Sequence, residues 1–283
     1  MRVVVVGATG VLGRNVLPRL IERGHAVRAV VRRPEQAYLL ERLGVEATLG
    51  DILDPASLDR AVAGCEAALH LSTAVPRPGA ALHWDMNDRI RREGTRHLLA
   101  AATRGGARRY VQQSIALVYG DHGACIVDEA TPLAPVPVAQ SAADMEGQVR
   151  ASALDWRILR GGIFYGPGTG REKGWRAAAR AGTLRAPGDG SDLVSLIHVA
   201  DMARVVVLAL DEGPSRATYN VVDDAPVAWR DLYGYVAVQE GGPDPMCGGP
   251  AMLPSLGCGN ARLKADLGWQ PAYPTYRSGL VQP

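Results

Sequence analysis

The feature that most constrains this chain is its opening. The apolar run "RVVVVG" leads without a break into "ATGVLGRN". A short continuous apolar run reads as a strand buried on both faces, as in a parallel sheet covered by helices. "VLGRNVLPRLIERG" then carries a helical pattern, with Gly24 as its stop. Between the two stand Gly7, Gly10 and Gly13, spaced G-x-x-G-x-x-G. In a strand-to-helix turn that must cradle a dinucleotide, the first glycine permits the tight turn. The second lets backbone approach the pyrophosphate, and the third lets the helix pack on the strand. The helix N-terminus then offers free N–H groups and a positive dipole to the phosphates. This layout predicts cofactor contacts from Gly7, Thr9, Gly10, Val11, Leu12 and Gly13; a purely structural turn is the alternative.

The same rhythm continues as far as Ser114. "HAVRAVVR", "VEATLG", "EAALHLS" and "RRYVQQS" read as strands two to five. "PEQAYLLERLG", "ASLDRAVAG" and "NDRIRREGTRHLLAAATRGG" read as the helices between them. Strand–helix alternation implies right-handed crossovers and an α/β, Rossmann-type doubly wound parallel sheet. Beyond Ser114, glycine, proline and short irregular pieces take over. They are interrupted by a helix over 138–153, a strand "DWRILRG" and a helix "VADMARVVVLALDEG". The expected organisation is a dinucleotide-binding core over 1–160 and a mixed region over 161–283. That region completes the sheet near 193–211 and forms a smaller C-terminal substrate lobe. No internal repeat is visible.

Composition excludes several classes. A net charge of +2 with scattered arginines gives no case for nucleic-acid binding. Cys65, Cys125, Cys247 and Cys258 lack metal-ligand spacing and read as free thiols, so no metal site is expected. No G-x-S-x-G elbow and no P-loop occurs. With no signal-peptide layout and no apolar run near 18 residues, no membrane partner and a cytoplasmic location are expected.

The end of strand two bears on which dinucleotide fits. An acidic residue there would hold the ribose 2′-hydroxyl of NAD. Arg32 and Arg33 stand there instead, matched in charge and bidentate geometry to a 2′-phosphate. NADP is therefore expected over NAD, the alternative being a solvated arginine pair.

These motifs together resemble the extended short-chain dehydrogenase/reductase family, in its NAD-dependent epimerase/dehydratase branch. "LGDILD" resembles the family's adenine-contacting segment, which implies roles for Asp51 and Ile52. "LHLSTA" resembles the strand-four end beneath the cofactor, which implies roles for Leu71, Ser72 and Thr73. "SIALVYG" resembles the family's Ser-x-x-x-Val-Tyr-Gly. "LRGGIFYGPG" resembles its Arg-Pro-Gly-x-x-Tyr-Gly-Pro-Gly and sets Ile163 at the cofactor. "SLIHVADMA" and "ARLKADLGWQP" resemble two later phrases.

The resemblance also implies a departure. The family's chemistry uses a Tyr to exchange a proton with the substrate oxygen and a Lys four residues on. A Ser or Thr and an Asn assist. No Tyr-x-x-x-Lys occurs in this chain, whose only lysines are Lys173 and Lys264. Aligning "LVYG" sets Ile115 at the Ser or Thr. Aligning Glu146 sets Ala142 at the Lys and Val138 at the Tyr, and aligning "REGTRHLL" sets Arg91 at the Asn. Val138, Ala142, Met145 and Val149 then share one helix face, with Ser141 and Glu146 beside it.

The candidates left for acid–base work are Ser114, Tyr119, Tyr165 and His83, with His198 and Asp201 behind them. Each has a plainer role as packing, capping or backbone hydrogen bonding. Three readings stay open. One is an NADP(H)-dependent reductase or dehydrogenase of a small carbonyl or hydroxyl metabolite without the usual triad. The second is a non-redox dehydratase, isomerase or cyclase on the same scaffold, and the third a non-catalytic NADP-binding regulatory protein. A small-molecule substrate and a homodimer are the expected partners.

Overall fold

The valines of the opening run lie at the centre of a seven-stranded sheet. A computed structural model describes residues 1–75, 84–251 and 253–280. The chain begins β1 (Arg2–Val6), α1 (Val11–Glu22), β2 (Ala26–Val31), α2 (Pro34–Glu41), β3 (Glu46–Leu49), α3 (Pro55–Val62) and β4 (Ala67–His70). Next, α4 (Asp85–Arg89) passes through a π-helical turn, Ile90–Gly94, into α5 (Thr95–Arg104). There follow β5 (Arg109–Ile115), a 3-10 turn (Ala116–Tyr119), β6 (Ile126–Val127), α6 (Pro137–Ala151) and β7 (Asp155–Gly161). The remainder is β8 (Ile163–Tyr165), α7 (Arg171–Arg180), β9 (Arg185–Pro187), β10 (Leu193–Val194), β11 (Leu196–His198), α8 (Val199–Asp211) and β12 (Ala217–Val221). It ends with β13 (Val227–Ala228), α9 (Trp229–Glu240), β14 (Met246–Gly249), β15 (Gly257–Cys258), α10 (Ala261–Leu267) and α11 (Tyr276–Gly279).

The main sheet runs β12-β7-β5-β4-β1-β2-β3. β1 pairs in parallel with both β2 and β4, Val6 standing beside Val30 and His70. Val3, Val4 and Val5 are wholly buried, the physical reason the run lacks an alternating pattern. The winding reverses between β1 and β4. In open α/β sheets the crevice at such a reversal takes the ligand. α3, α5 and α6 share one core with the sheet, built from Val4, Leu58, Leu98, Tyr110, Val149 and Ile158. Each large aliphatic side chain so buried contributes about 1.5–3 kcal/mol. Local signals start the helices: Pro34 opens α2, and Asp54 caps α3 by accepting from Ala56 N at 3.1 Å.

The outer strand of the sheet is Ala217–Val221, not a segment within 193–211. The apolar residues of 199–211 recur at helical spacing and form α8, while 193–198 form two short strands outside that sheet.

Two compact units result. The first comprises 1–114, 140–159 and 203–218; the second comprises 115–139, 160–202 and 219–283. The second has its own aromatic-rich core of Trp175, Trp229, Leu232, Val236 and Tyr276.

Candidate functional site

The glycine turn fixes the site in the first unit. Gly7 has φ +95, and a Cβ there would stand 2.6 Å from both Leu71 C and Ser72 N. The turn after β1 therefore lies against the exit of β4. A Cβ on Gly13 would stand 2.5 Å from Ala8 O. Gly10 differs: its φ is −71, and a Cβ would meet only Gly7 O, at 3.2 Å. Position 10 is tight on one side only, against that oxygen, and its open side is a cradle a side chain would fill. α1 starts at Gly10 with no side-chain cap and no acidic residue in its first turn. Its leading N–H groups and dipole favour an anion. Donor set and cradle fit the pyrophosphate of a dinucleotide.

Thr9 Oγ1 accepts from Gln36 Nε2 at 3.4 Å, and Gln36 Oε1 accepts from Arg32 N at 3.3 Å. Gln36 thus ties the phosphate turn to the end of β2. Arg32 and Arg33 are exposed there, and neither has an acidic partner among the described residues. Asp51 Oδ1 accepts from Leu53 N at 2.9 Å. Ile52 is buried, its carbonyl oxygen 3.2 Å from His97 Nδ1. Its side chain fills space that Gly94 leaves, where a Cβ would stand 2.9 Å from Ile52 Cγ1.

At the exit of β4, Leu71 is buried, and Ser72 N donates to His70 Nδ1 at 3.3 Å. Burial pushes His70 down to about 4, so the ring is neutral at physiological pH. Thr73 follows on the surface. Ala74 N donates to Asn87 Oδ1 at 3.1 Å, which joins this exit to α4. Ile163 opens β8 in the second unit, paired in parallel with Leu196.

One turn beyond Asn87, the π-helical turn carries Arg91, only 4% exposed. Its Nη1 donates to Ser141 Oγ of α6 at 3.2 Å. Burial lowers its pKa to about 10; Asp88 favours the cation and Arg92 opposes it. It is charged at neutral pH. Arg92 reaches Asp144 of α6 at 2.7 Å. Ala142, Met145 and Val149 are buried on α6, and Val138 is half-buried. Ser114, at the end of β5, donates to Glu146 Oε1 at 2.7 Å. Glu146 is wholly buried and meets Arg150 at 3.1 Å.

The other candidates lie in the second unit. Tyr119 is enclosed: its hydroxyl donates to Asn220 Oδ1 at 2.7 Å and accepts from Arg160 Nη1 at 2.6 Å. Burial pushes its pKa up to about 12. Tyr165 is also enclosed, its hydroxyl donating to Thr275 O at 3.3 Å. Burial, then the Asp223 and Asp201 carboxyls, drive its pKa further upward. His198 stacks on Tyr273 at 3.7 Å, and Asp201 accepts from the N–H groups of Ala272 and Tyr273 at 2.9 Å each. His83 lies outside the described residues.

Sequence reasoning did not mark Asp223, a buried carboxyl whose Oδ2 has no partner. The adjacent acids in "NVVDDAP", directly after a buried strand, were its signal. Nor did helical periodicity reveal the π-helical turn. All four cysteines are free thiols. Among the described residues no helix is long and apolar enough to cross a membrane, and no group of three His, Cys, Asp or Glu is placed to hold a metal.

Sheet order, switch point and glycine cradle define a doubly wound nucleotide-binding protein. The NAD(P)H-binding family matches residues 7–213, and the chain belongs to it. It is 35% identical over 306 aligned residues to 3-diazoavenalumate denitrifying reductase from a Streptomyces species, across 99% of each chain. It is 31% identical to 4-hydroxy-2-methyl-3-oxo-4-farnesyl-3,4-dihydroquinoline-1-oxide ketoreductase from Stigmatella aurantiaca, over 82% of this chain and 71% of that one. A dTDP-glucose 4,6-dehydratase from Streptomyces venezuelae, solved with NAD and TYD bound, has the same fold. Its TM-score is 0.86 at 24% identity, over 99% of this chain and 94% of that one.

Proposed function

We propose that the chain is an NADPH-dependent reductase that delivers hydride to an electron-poor centre without a proton donor of its own, and that this centre is the carbon of an arenediazonium group. One observation carries the reading. The α6 positions that would hold the family's tyrosine and lysine are Val138 and Ala142.

Reducing a carbonyl leaves an oxyanion that must take a proton, so such enzymes keep an acid at hand. Bound NADPH supplies a hydride that forms the C–H bond of the product. With a diazonium carbon as acceptor, the C–N bond breaks and its electron pair departs with N2. NADPH, when bound, would supply the two electrons as that hydride, so the carbon is reduced and no proton is consumed. A hydrocarbon wall suits that step, because it excludes water that would otherwise capture the electrophile. The protein's part is then to position the substrate. The full-length likeness to a denitrifying reductase of a diazo compound supports the same substrate class. Arg32, whose backbone N–H is tied to the phosphate turn through Gln36, and the adjacent Arg33 support NADPH over NADH.

The test follows absorbance at 340 nm with 4-hydroxybenzenediazonium and, separately, with a matched ketone. It uses NADPH deuterated at the transferring position. The expected result is protein-dependent oxidation with the diazonium, N2 release, and deuterium on the carbon that bore nitrogen. Oxidation with the ketone alone returns the protein to carbonyl chemistry. No oxidation with either removes the reductase reading and leaves the non-redox and regulatory ones.

A further inference from the structure

The phosphate turn and the end of β2 are joined by one side chain. Gln36, half-buried in the first turn of α2, accepts from Arg32 N at Oε1, 3.3 Å away, and donates from Nε2 to Thr9 Oγ1 at 3.4 Å. A backbone N–H can only donate, so the amide must turn its oxygen to Arg32 and its nitrogen to Thr9. One Nε2 proton and the Thr9 hydroxyl proton then have no acceptor among the described residues, and both residues are partly open to solvent. Arg32 and Arg33 are exposed at the same corner, where the chain runs Val31-Arg32-Arg33-Pro34 without a carboxylate. In this fold the ribose of the adenosine half is held at that corner. We infer that Gln36 is the residue that reads the ribose 2′-position: its amide, together with the Thr9 hydroxyl, completes a set of donors for the 2′-phosphate of NADP(H) that the two arginines alone leave unfinished.

A helix cap is the plainer role, and the choice of an amide argues against it. Gln36 N donates to Arg33 O at 3.1 Å, which puts Gln36 three residues past the residue that opens α2. A side chain at that place often reaches back to a backbone N–H, and glutamate serves there as well as glutamine. Beside a helix N-terminus the dipole favours the carboxylate. Capping therefore uses only Oε1. What the amide adds is the Nε2 donor, and its target is Thr9, in the turn after β1 and outside α2. The difference matters to the ligand. A ribose 2′-hydroxyl has a proton to place and is held by a carboxylate. A 2′-phosphate offers negative charge and oxygen acceptors, so neutral donors beside two guanidinium groups suit it, and a carboxylate repels it. The open side of Gly10, next to Thr9, leaves the ligand room to approach.

This inference rests on the reading of the first turn as an NADPH site, and its test needs no substrate. Calorimetry compares adenosine 2′,5′-bisphosphate with adenosine 5′-monophosphate, and NADPH with NADH. The wild type should bind the 2′-phosphorylated member of each pair more tightly, by about tenfold or more. Gln36→Glu keeps the cap and exchanges the donor for an acceptor. Both ratios should then fall about tenfold or more, with NADH bound at least as tightly as by the wild type. Thr9→Val, which removes the hydroxyl at the other end of the bond, should lower both ratios a few-fold. Equal loss for both members of a pair in Gln36→Glu is the signature of a tie that only holds the turn, and it overturns the inference; so do unchanged ratios. If Gln36→Glu folds poorly, Thr9→Val reads the same donor set, and unchanged ratios there overturn the inference as well. A wild type that prefers NADH would remove the NADPH reading together with this one. A preference for NADPH that folded Gln36→Glu leaves intact would remove this one alone, and diazonium oxidation enters neither outcome.

Discussion

Ser114 and Glu146, on β5 and α6, are joined by a 2.7 Å hydrogen bond in which the hydroxyl donates to a wholly buried carboxyl group. The bond spends the serine's only proton on the interior. It makes Ser114 a partner that holds Glu146 in place, whatever else its oxygen meets. Ser114→Ala leaves a buried carboxyl short of a donor, which costs about 1–3 kcal/mol. Chemical denaturation should show that loss, with NADPH affinity nearly unchanged. A drop in turnover per folded molecule beyond about tenfold would instead give the hydroxyl a chemical role.

The glycines of the first turn should separate folding from binding. At Gly7 a side chain meets Leu71 and Ser72 backbone at 2.6 Å, and φ is +95. Gly7→Ala should destabilise the first unit by about 2 kcal/mol or more. At Gly10 the one close neighbour is Gly7 O, at 3.2 Å, and φ is −71, so Gly10→Val should cost less stability than Gly7→Ala and still lose about tenfold or more in NADPH affinity. Comparable loss of stability in both variants would show that Gly10 serves the fold.

Nucleotide choice should follow the arginines. Replacing Arg32 and Arg33 with serine removes two guanidinium groups at the end of β2. The ratio of NADPH to NADH affinity should fall about tenfold to a hundredfold, with NADH binding little altered. An unchanged ratio would reduce the pair to solvated surface charge.

Asp223 should give the protein a pH-dependent stability. Burial, with the Asp224 and Asp201 charges also raising it, pushes its carboxyl from 3.8 to about 8 in the folded state; the Ala225 N–H partly opposes this. The folded pKa therefore lies above the unfolded one. The contribution is fully present below about pH 4 and is lost as pH rises towards 8, because the unfolded chain ionises first. Asp223→Asn removes that slope and should stabilise the protein on the order of a few kcal/mol at pH 8, with little effect at pH 4. Urea unfolding across that range checks it: parallel curves for wild type and variant would mean the group is ionised in the folded protein.

Much of this protein is written locally. Continuous valines announce a strand covered on both faces, since no exposed face survives to alternate with a buried one. Glycines at 7, 10 and 13 announce the phosphate turn, since backbone conformation and close approach are properties of single residues. The absence of Tyr-x-x-x-Lys is likewise legible without coordinates. Tertiary structure alone decided the rest. Arg91 meets Ser141 across 50 residues, Tyr119 meets Asn220 across 101, and β12 rather than an earlier segment forms the sheet's outer edge. Contacts of that kind depend on which helix faces which, and on how far burial desolvates a charge. A linear spacing encodes neither, because both arise only when distant segments pack together.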